Sequence, residues 1–139
     1  MSAQDPPPPE RTIEHLDCPA EITLPPDAFR HARFETDLLA DLRFCGRDDV
    51  EIPRVELRWN PAALDVRFTV LPPRDADIEI RLGARAYAAN GIEISSQTRT
   101  FTIRAGKQST HRIRMSRSSR WLQEFAGRLT VVVDDISPP

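Results

Sequence analysis

Glycine is scarce in this 139-residue chain, and Gly46, Gly83, Gly91, Gly106 and Gly127 stand far apart. Phosphate-cradling loops and dinucleotide fingerprints both need glycines clustered between a strand and a helix, so nothing points to nucleotide hydrolysis. Histidine is equally sparse. His15, His31 and His111 lack a second ligand at metal-binding spacing, so no metal site is expected, and His111 reads as a partly buried strand residue. Two cysteines, Cys18 and Cys45, are too few for a disulfide scaffold and are not spaced as a metal clamp. Both are expected as reduced thiols, with a single bridge left open for an exported protein. No serine sits in a nucleophile elbow, and the acid pairs Asp48-Asp49 and Asp134-Asp135 fall where solvated charge accounts for them. We therefore assign no catalytic residue and no cofactor, and read the chain as a non-enzyme; an enzyme with an unrecognised site is the remaining alternative.

The chain also lacks the marks of membrane or export targeting. Met1-Ser2-Ala3-Gln4-Asp5 has neither a basic region nor an apolar run, and no segment approaches the length of a membrane span. A cytoplasmic location and no membrane partner are expected. Lysine is all but missing. Eighteen of the nineteen basic residues are arginine, the exception being Lys107, which suggests a GC-rich coding sequence and weakens the meaning of any one arginine.

What the sequence does have is alternation. Ile78, Ile80, Leu82, Ala84, Ala86 and Ala88 occupy every second position with Glu79, Arg81 and Arg85 between them, the period of a strand with one buried face. Asn90-Gly91 ends that run, and Ile92 and Ile94 begin another. A three-residue loop, Ala89-Asn90-Gly91 with Gly91 at positive φ, pairs Ala88 with Ile92 and Ala86 with Ile94. Further strands are predicted at 20–24, at 34–44, where Phe34, Leu38 and Leu42 with Leu39 beside them also fit a helical face, around Val55-Leu57-Trp59, over Leu64 to Val70, around Phe101 and Ile103, at His111 to Met115, and from Leu129 to Val133. The apolar parity changes between Ile94 and Phe101, so a bulge or a change of sheet is placed between Ser95 and Thr100. Ser119 is read as the cap of a short helix carrying Trp121, Leu122 and Phe125, closed by Gly127.

These elements imply one all-β domain over 13–136, preceded by a disordered proline-rich tail at 1–12 and followed by a short tail at 137–139. The architecture is an antiparallel β-sandwich of about 7–9 strands, with the helix before the last strand. It resembles the immunoglobulin or fibronectin type III class, and the Cys45-to-Trp59 spacing resembles that of the strand B cysteine and strand C tryptophan of an immunoglobulin domain. The chain departs from that pattern in having no second cysteine in its later strands and in the position of Tyr87, its one tyrosine.

Charge is ordered along the chain. The first 93 residues carry eleven basic and eighteen acidic side chains, a net −7, whereas 94–123 holds Arg99, Arg104, Lys107, Arg112, Arg114, Arg117 and Arg120 with no acid, a net +7. Arg112 and Arg114 share the outward face of one strand, and Arg117 and Arg120 flank the helix start beside Trp121. Lys107, Arg112, Arg114, Arg117, Arg120 and Trp121 are thus the candidate anion or partner site. The expected activity is that of an accessory binding module whose basic surface within 99–120 meets an acidic protein partner. The alternative use of the same segment is phosphate or nucleic-acid binding, although with only Phe101 and Trp121 interleaved it makes no stacking platform. Internal pairing of these arginines with the acid-rich earlier strands is the competing structural explanation.

Overall fold

The computed structural model describes residues 12–139, so the tail expected at 1–12 lies outside the described residues except for Thr12. Ten strands and one α-helix follow in order, with a short 3-10 helix at Pro26–Phe29 between the second and third strands: β1 Glu14–Leu16, β2 Ala20–Thr23, β3 Arg33–Thr36, β4 Leu42–Phe44, β5 Glu51–Trp59, β6 Leu64–Leu71, β7 Ile78–Tyr87, β8 Glu93–Ile103, β9 Ser109–Arg114, α1 Ser119–Phe125 and β10 Arg128–Ser137. Two four-stranded antiparallel sheets, in the orders β2-β10-β7-β8 and β3-β5-β6-β9, form a β-sandwich, and β1 and β4 add a two-stranded parallel ribbon. This is the antiparallel sandwich expected from the alternation. The parallel ribbon was not expected.

The core is built by period-two burial from both sheets. Ile78, Ile80, Leu82 and Ala86 on β7 and Val131 and Val133 on β10 face Val55 and Leu57 on β5 and Leu64, Phe68 and Val70 on β6. Each of these is fully buried, so every one larger than Ala86 contributes on the order of 1.5–3 kcal/mol of apolar burial. Trp59 closes one edge of this core; its Nε1–H donates to the Ala28 carbonyl at 2.7 Å, and its ring meets Phe29 at 5.8 Å.

The hairpin between β7 and β8 turns through the expected loop. Ala88 N–H donates to Ile92 O, Gly91 N–H donates to Ala88 O, and Gly91 has φ +85°. The pairing beyond the turn differs, because Ala86 faces Ser95 and not Ile94. Ile94 is the extra residue of a bulge. That bulge, and no feature between Ser95 and Thr100, shifts the parity that places Phe101 opposite Ile80 and Ile103 opposite Ile78. β8 consequently runs through 95–100 without leaving its sheet.

Four further expectations are corrected. The segment 34–44 is two short strands separated by a turn, since Thr36 Oγ1 accepts from Leu38 N–H and Asp37 O accepts from Ala40 N–H. Leu39 is fully buried there while Leu38 is exposed, the reverse of a simple alternation. The cap of α1 is Ser118, whose Oγ accepts from Trp121 N–H at 3.2 Å; Ser119 lies inside the helix with a buried hydroxyl. β10 continues past Val133 to Ser137 by way of a bulge at Asp134.

Cys18 and Cys45 are not free thiols but a disulfide, with their Cα atoms 5.0 Å apart. The parallel register explains the meeting. Leu16 lies opposite Phe44, and Cys45 N–H donates to Leu16 O, so the chain just beyond each strand converges. Cys45 has φ +59° and Cys18-Pro19 is a cis peptide. The bridge therefore clips the first ribbon together, and the partner of Cys45, Cys18, lies before β2 and not in a later strand as in the immunoglobulin pattern.

Candidate functional site

The outward face of β3-β5-β6-β9 is where basic residues from distant parts of the chain come together. Strand register sets Arg33, Arg58, Asp65 and Arg114 in one row, Glu35, Glu56, Arg67 and Arg112 in the next, and Arg54, Thr69 and Thr110 in a third. The face thus holds six arginines against three carboxylates. Its opposite side is the core, since the intervening residues Leu57, Val66, Phe68 and Ile113 are buried.

The two central acids are covered by the arginines around them. Asp65 keeps 2% of its side chain exposed and accepts from Arg114 through Nε at 2.9 Å and Nη2 at 3.3 Å, with Asn60 Nδ2 a further donor at 2.8 Å. Burial pushes the Asp65 pKa up, but the Arg114 hydrogen bonds and the nearby charges of Arg114, Arg112 and Arg67 outweigh it, so the carboxylate lies below its ordinary range. Glu56 behaves alike. Burial raises its pKa, and hydrogen bonds from Arg58 and from Arg33 at 3.2 Å more than reverse this. Arg33 also meets Glu35 at 2.9 Å, and Arg54 approaches the same carboxylate at 4.0 Å.

Two neighbours on this face have no such partner. Arg67 and Arg112 stand opposite each other across β6 and β9, and among the described residues neither makes an ion pair and the buried Arg67 Nε has no hydrogen-bond acceptor. Two arginines at directly opposed positions of one sheet bring planar, bidentate donors suited to carboxylate or phosphate oxygens to the same place on the face. Thr69 and Thr110 lie one row beyond, their hydroxyls 3.2 Å apart.

The sequence-predicted residues are only partly assembled here. Arg112 and Arg114 project on this face, although Arg114 is engaged with Asp65 in the internal pairing that competed with a binding role. Arg117 lies over the Trp121 ring at 4.6 Å, in the segment that crosses to α1, and Arg120 is exposed on α1. Ser118 already occupies Trp121 N–H at that helix start. Lys107 sits in the turn between β8 and β9, at the other end of β9. Four arginines of the face, Arg33, Arg54, Arg58 and Arg67, were not singled out from the sequence. Their signal was present as alternation: Arg54 and Arg58 flank Val55 and Leu57, and Arg67 lies between Val66 and Phe68.

Other features converge less. A depression of about 630 Å³ is lined by Asp48, Asp49, Glu51, Asp75, Arg74 and the Pro72-Pro73 turn. Among the described residues there is no group of three or more His, Cys, Asp or Glu side chains able to hold a metal ion. His111 is half-buried on β9, meets the Phe101 ring at 4.8 Å in a tilted arrangement and shares a 2.7 Å hydrogen bond between Nε2 and Ser109 Oγ; burial lowers its pKa. Among the described residues no helix is long and apolar enough to cross a membrane.

No family model matches the sequence, and no curated protein matches it. The solved structure of a DUF1425 family member from Shewanella sp. pv-4 is similar to 62% of this chain and to 77% of its own, at 16% identity and a TM-score of 0.46.

Proposed function

We propose that this protein is a non-enzymatic binding module that docks an acidic protein surface on the arginine face of β3-β5-β6-β9. The observation that carries the reading is the unpaired Arg67-Arg112 couple inside a face with six arginines and three acids. The covered carboxylates Asp65 and Glu56 hold Arg114, Arg58 and Arg33 in place, so the face meets a partner with little side-chain ordering left to do. A compact acidic patch is favoured over nucleic acid on two grounds. The rows of the face contain no aromatic side chain for base stacking, and the other sheet's outward face is acid-rich and repels a long polyanion. The Cys18–Cys45 disulfide supports an oxidising compartment over the cytoplasm as the place of action.

The test is binding by the double variant Arg67→Glu/Arg112→Glu against wild type, with affinity capture from the native cell and titration with duplex DNA side by side. The proposal expects capture of an acidic protein by wild type only, with an unchanged circular dichroism spectrum in the variant. Tight, steeply salt-dependent binding of wild type to the duplex would promote the nucleic-acid alternative in its place.

A further inference from the structure

A sandwich of two open sheets has four edge strands, and three of them here are blunted. β2 spans four residues between Pro19 and Pro25; β3 spans four and carries Arg33 and Glu35; β9 spans six and carries Arg112 and Arg114. Short length, proline and charge are the usual means by which an edge avoids pairing with another chain. The fourth edge, β8, is neither short nor interrupted by proline, and it carries few charges for its length. It runs for eleven residues from Glu93 to Ile103, contains no proline, and its charged residues are Glu93 at the first position and Arg99.

Backbone direction shows which groups this edge offers. Ala88 N–H donates to Ile92 O, and on the other side Gly127 N–H donates to Tyr87 O, so even-numbered residues of β7 turn their backbone towards β8 and odd-numbered ones towards β10. The β8 partners of the even residues are Ser95, Gln97, Arg99, Phe101 and Ile103. The amides and carbonyls of Ser96, Thr98, Thr100 and Thr102 are therefore left on the free edge. Their side chains form a run of hydroxyls on the outward face of the sheet. Gly83 lies beside this run, and a Cβ there would come within 3.1 Å of Thr98 Oγ1, which keeps the face flat at its centre.

We propose that β8 pairs antiparallel with β8 of a second copy of this chain, about a two-fold axis at Thr98, joining two four-stranded sheets into one of eight strands. The sequence of the edge is complementary to itself in this register. Thr98 meets its own copy, Ser96 meets Thr100, Ile94 meets Thr102, and on the inward side Gln97 meets Arg99 and Ser95 meets Phe101. No like charges stand directly opposite, and hydroxyl pairs of this kind are favourable cross-strand neighbours. Shifting the axis by one residue to Arg99 would set two arginines face to face. The contact is isologous and closes as a dimer, leaving both arginine faces on the other sheets free.

Sedimentation and chemical cross-linking of the full chain test this. Wild type is expected to show a two-chain mass at about 0.1 mM, and Thr98→Lys, which sets two lysines directly opposite each other at the axis, a one-chain mass with an unchanged circular dichroism spectrum. Thr98→Cys should link two chains on a non-reducing gel, because residues opposite each other in a hydrogen-bonded antiparallel pair lie about 5.5 Å apart at Cα, while Thr102→Cys should not. Arg112→Glu is expected to leave the two-chain mass unchanged, which separates this inference from the arginine-face proposal. A one-chain mass for wild type at that concentration, a two-chain mass that persists in Thr98→Lys, or equal linking by Thr102→Cys would overturn it.

Discussion

The two outward faces of the sandwich are made by the same rule and have opposite character. On β3-β5-β6-β9 six arginines outnumber three acids, whereas on β2-β10-β7-β8 Arg81, Arg85 and Arg128 are set against Glu21, Glu79, Glu93, Asp134 and Asp135. Each face has a carboxylate bound by its neighbours. Asp65 is held by Arg114, and Glu21 by Tyr87 Oη–H, by Thr130 Oγ1 at 2.6 Å and by Arg85 at 3.4 Å. The difference is in what remains. After internal pairing the first face still has Arg67 and Arg112 to offer, while on the second Arg81 is taken by Asp134, Arg85 by Glu21 and Glu93, and Arg128 lies over the Tyr87 ring at 4.3 Å. A surplus beyond internal need marks a surface as a candidate for binding more clearly than the number of charges on it.

The largest effect is expected from cutting the covalent link near the start of both sheets. Cys18 directly precedes β2 of one sheet and Cys45 lies in the connection to β5 of the other, 27 residues apart. Cys18→Ser/Cys45→Ser should lower unfolding free energy in urea by about 3 kcal/mol, from loop closure in the unfolded chain, while leaving the arginine face able to bind. Asp65→Ala comes next. It removes the acid under Arg114 and should cost about 2 kcal/mol, between the limits for exposed and buried ion pairs, whereas Asp135→Ala on the other face should cost less than about 0.5 kcal/mol. Equal losses in the two variants would erase the contrast between the faces.

Glu21→Gln keeps the size of the bound carboxyl group on the second face and should cost about 1 kcal/mol, with β2 showing faster amide exchange because Thr130 and Arg85 tie it to β10 and β7. The smallest effect is a pH dependence. Asp65, Glu56 and Glu21 all have pKa values below their ordinary range in the folded chain. For Glu21 burial works upward, and the hydrogen bonds from Thr130 and Tyr87 with the charges of Arg85 and Arg128 reverse it. Groups depressed on folding bind fewer protons folded than unfolded, so the stability they add is complete above about pH 5 and is lost as pH falls through their lowered values. Melting temperature should therefore begin to fall below about pH 6.5, where the unfolded chain protonates His111 before the folded one does, and fall further below about pH 5 as the carboxylates take up protons, this second part less steeply in Asp65→Ala than in wild type.

How far the surface was legible depended on distance in sequence. Alternation gave the strands that build the arginine face, because one buried side of a strand forces the other outward, and Arg54, Arg58 and Arg67 can be placed on outward positions from Val55, Leu57, Val66 and Phe68 alone. What alternation does not carry is strand order. Arg112 was grouped with Arg117 and Arg120 because they are close in the chain, yet its cross-strand neighbour is Arg67, which belongs to the part of the sequence that is acidic in sum. The bulge was correctly required by the parity change but fell at Ile94, next to the turn, where one extra residue fits without breaking the long ladder of β7 with β8.

The sequence by itself determined the class of this protein: period-two burial over most of its length, with turns at Gly46, Asn60-Pro61, Gly91 and Gly106, leaves two-sided antiparallel sheets as the way to bury one face of each strand. Only the tertiary structure decided that Cys18 reaches Cys45, that 34–44 breaks at Asp37, and that arginines from four strands share one surface. The physical reason is the range of the forces involved. Strand periodicity is written within a few residues, whereas the parallel meeting of β1 with β4 and the order β3-β5-β6-β9 follow from closing one core with all strands at once, a condition that no local stretch contains.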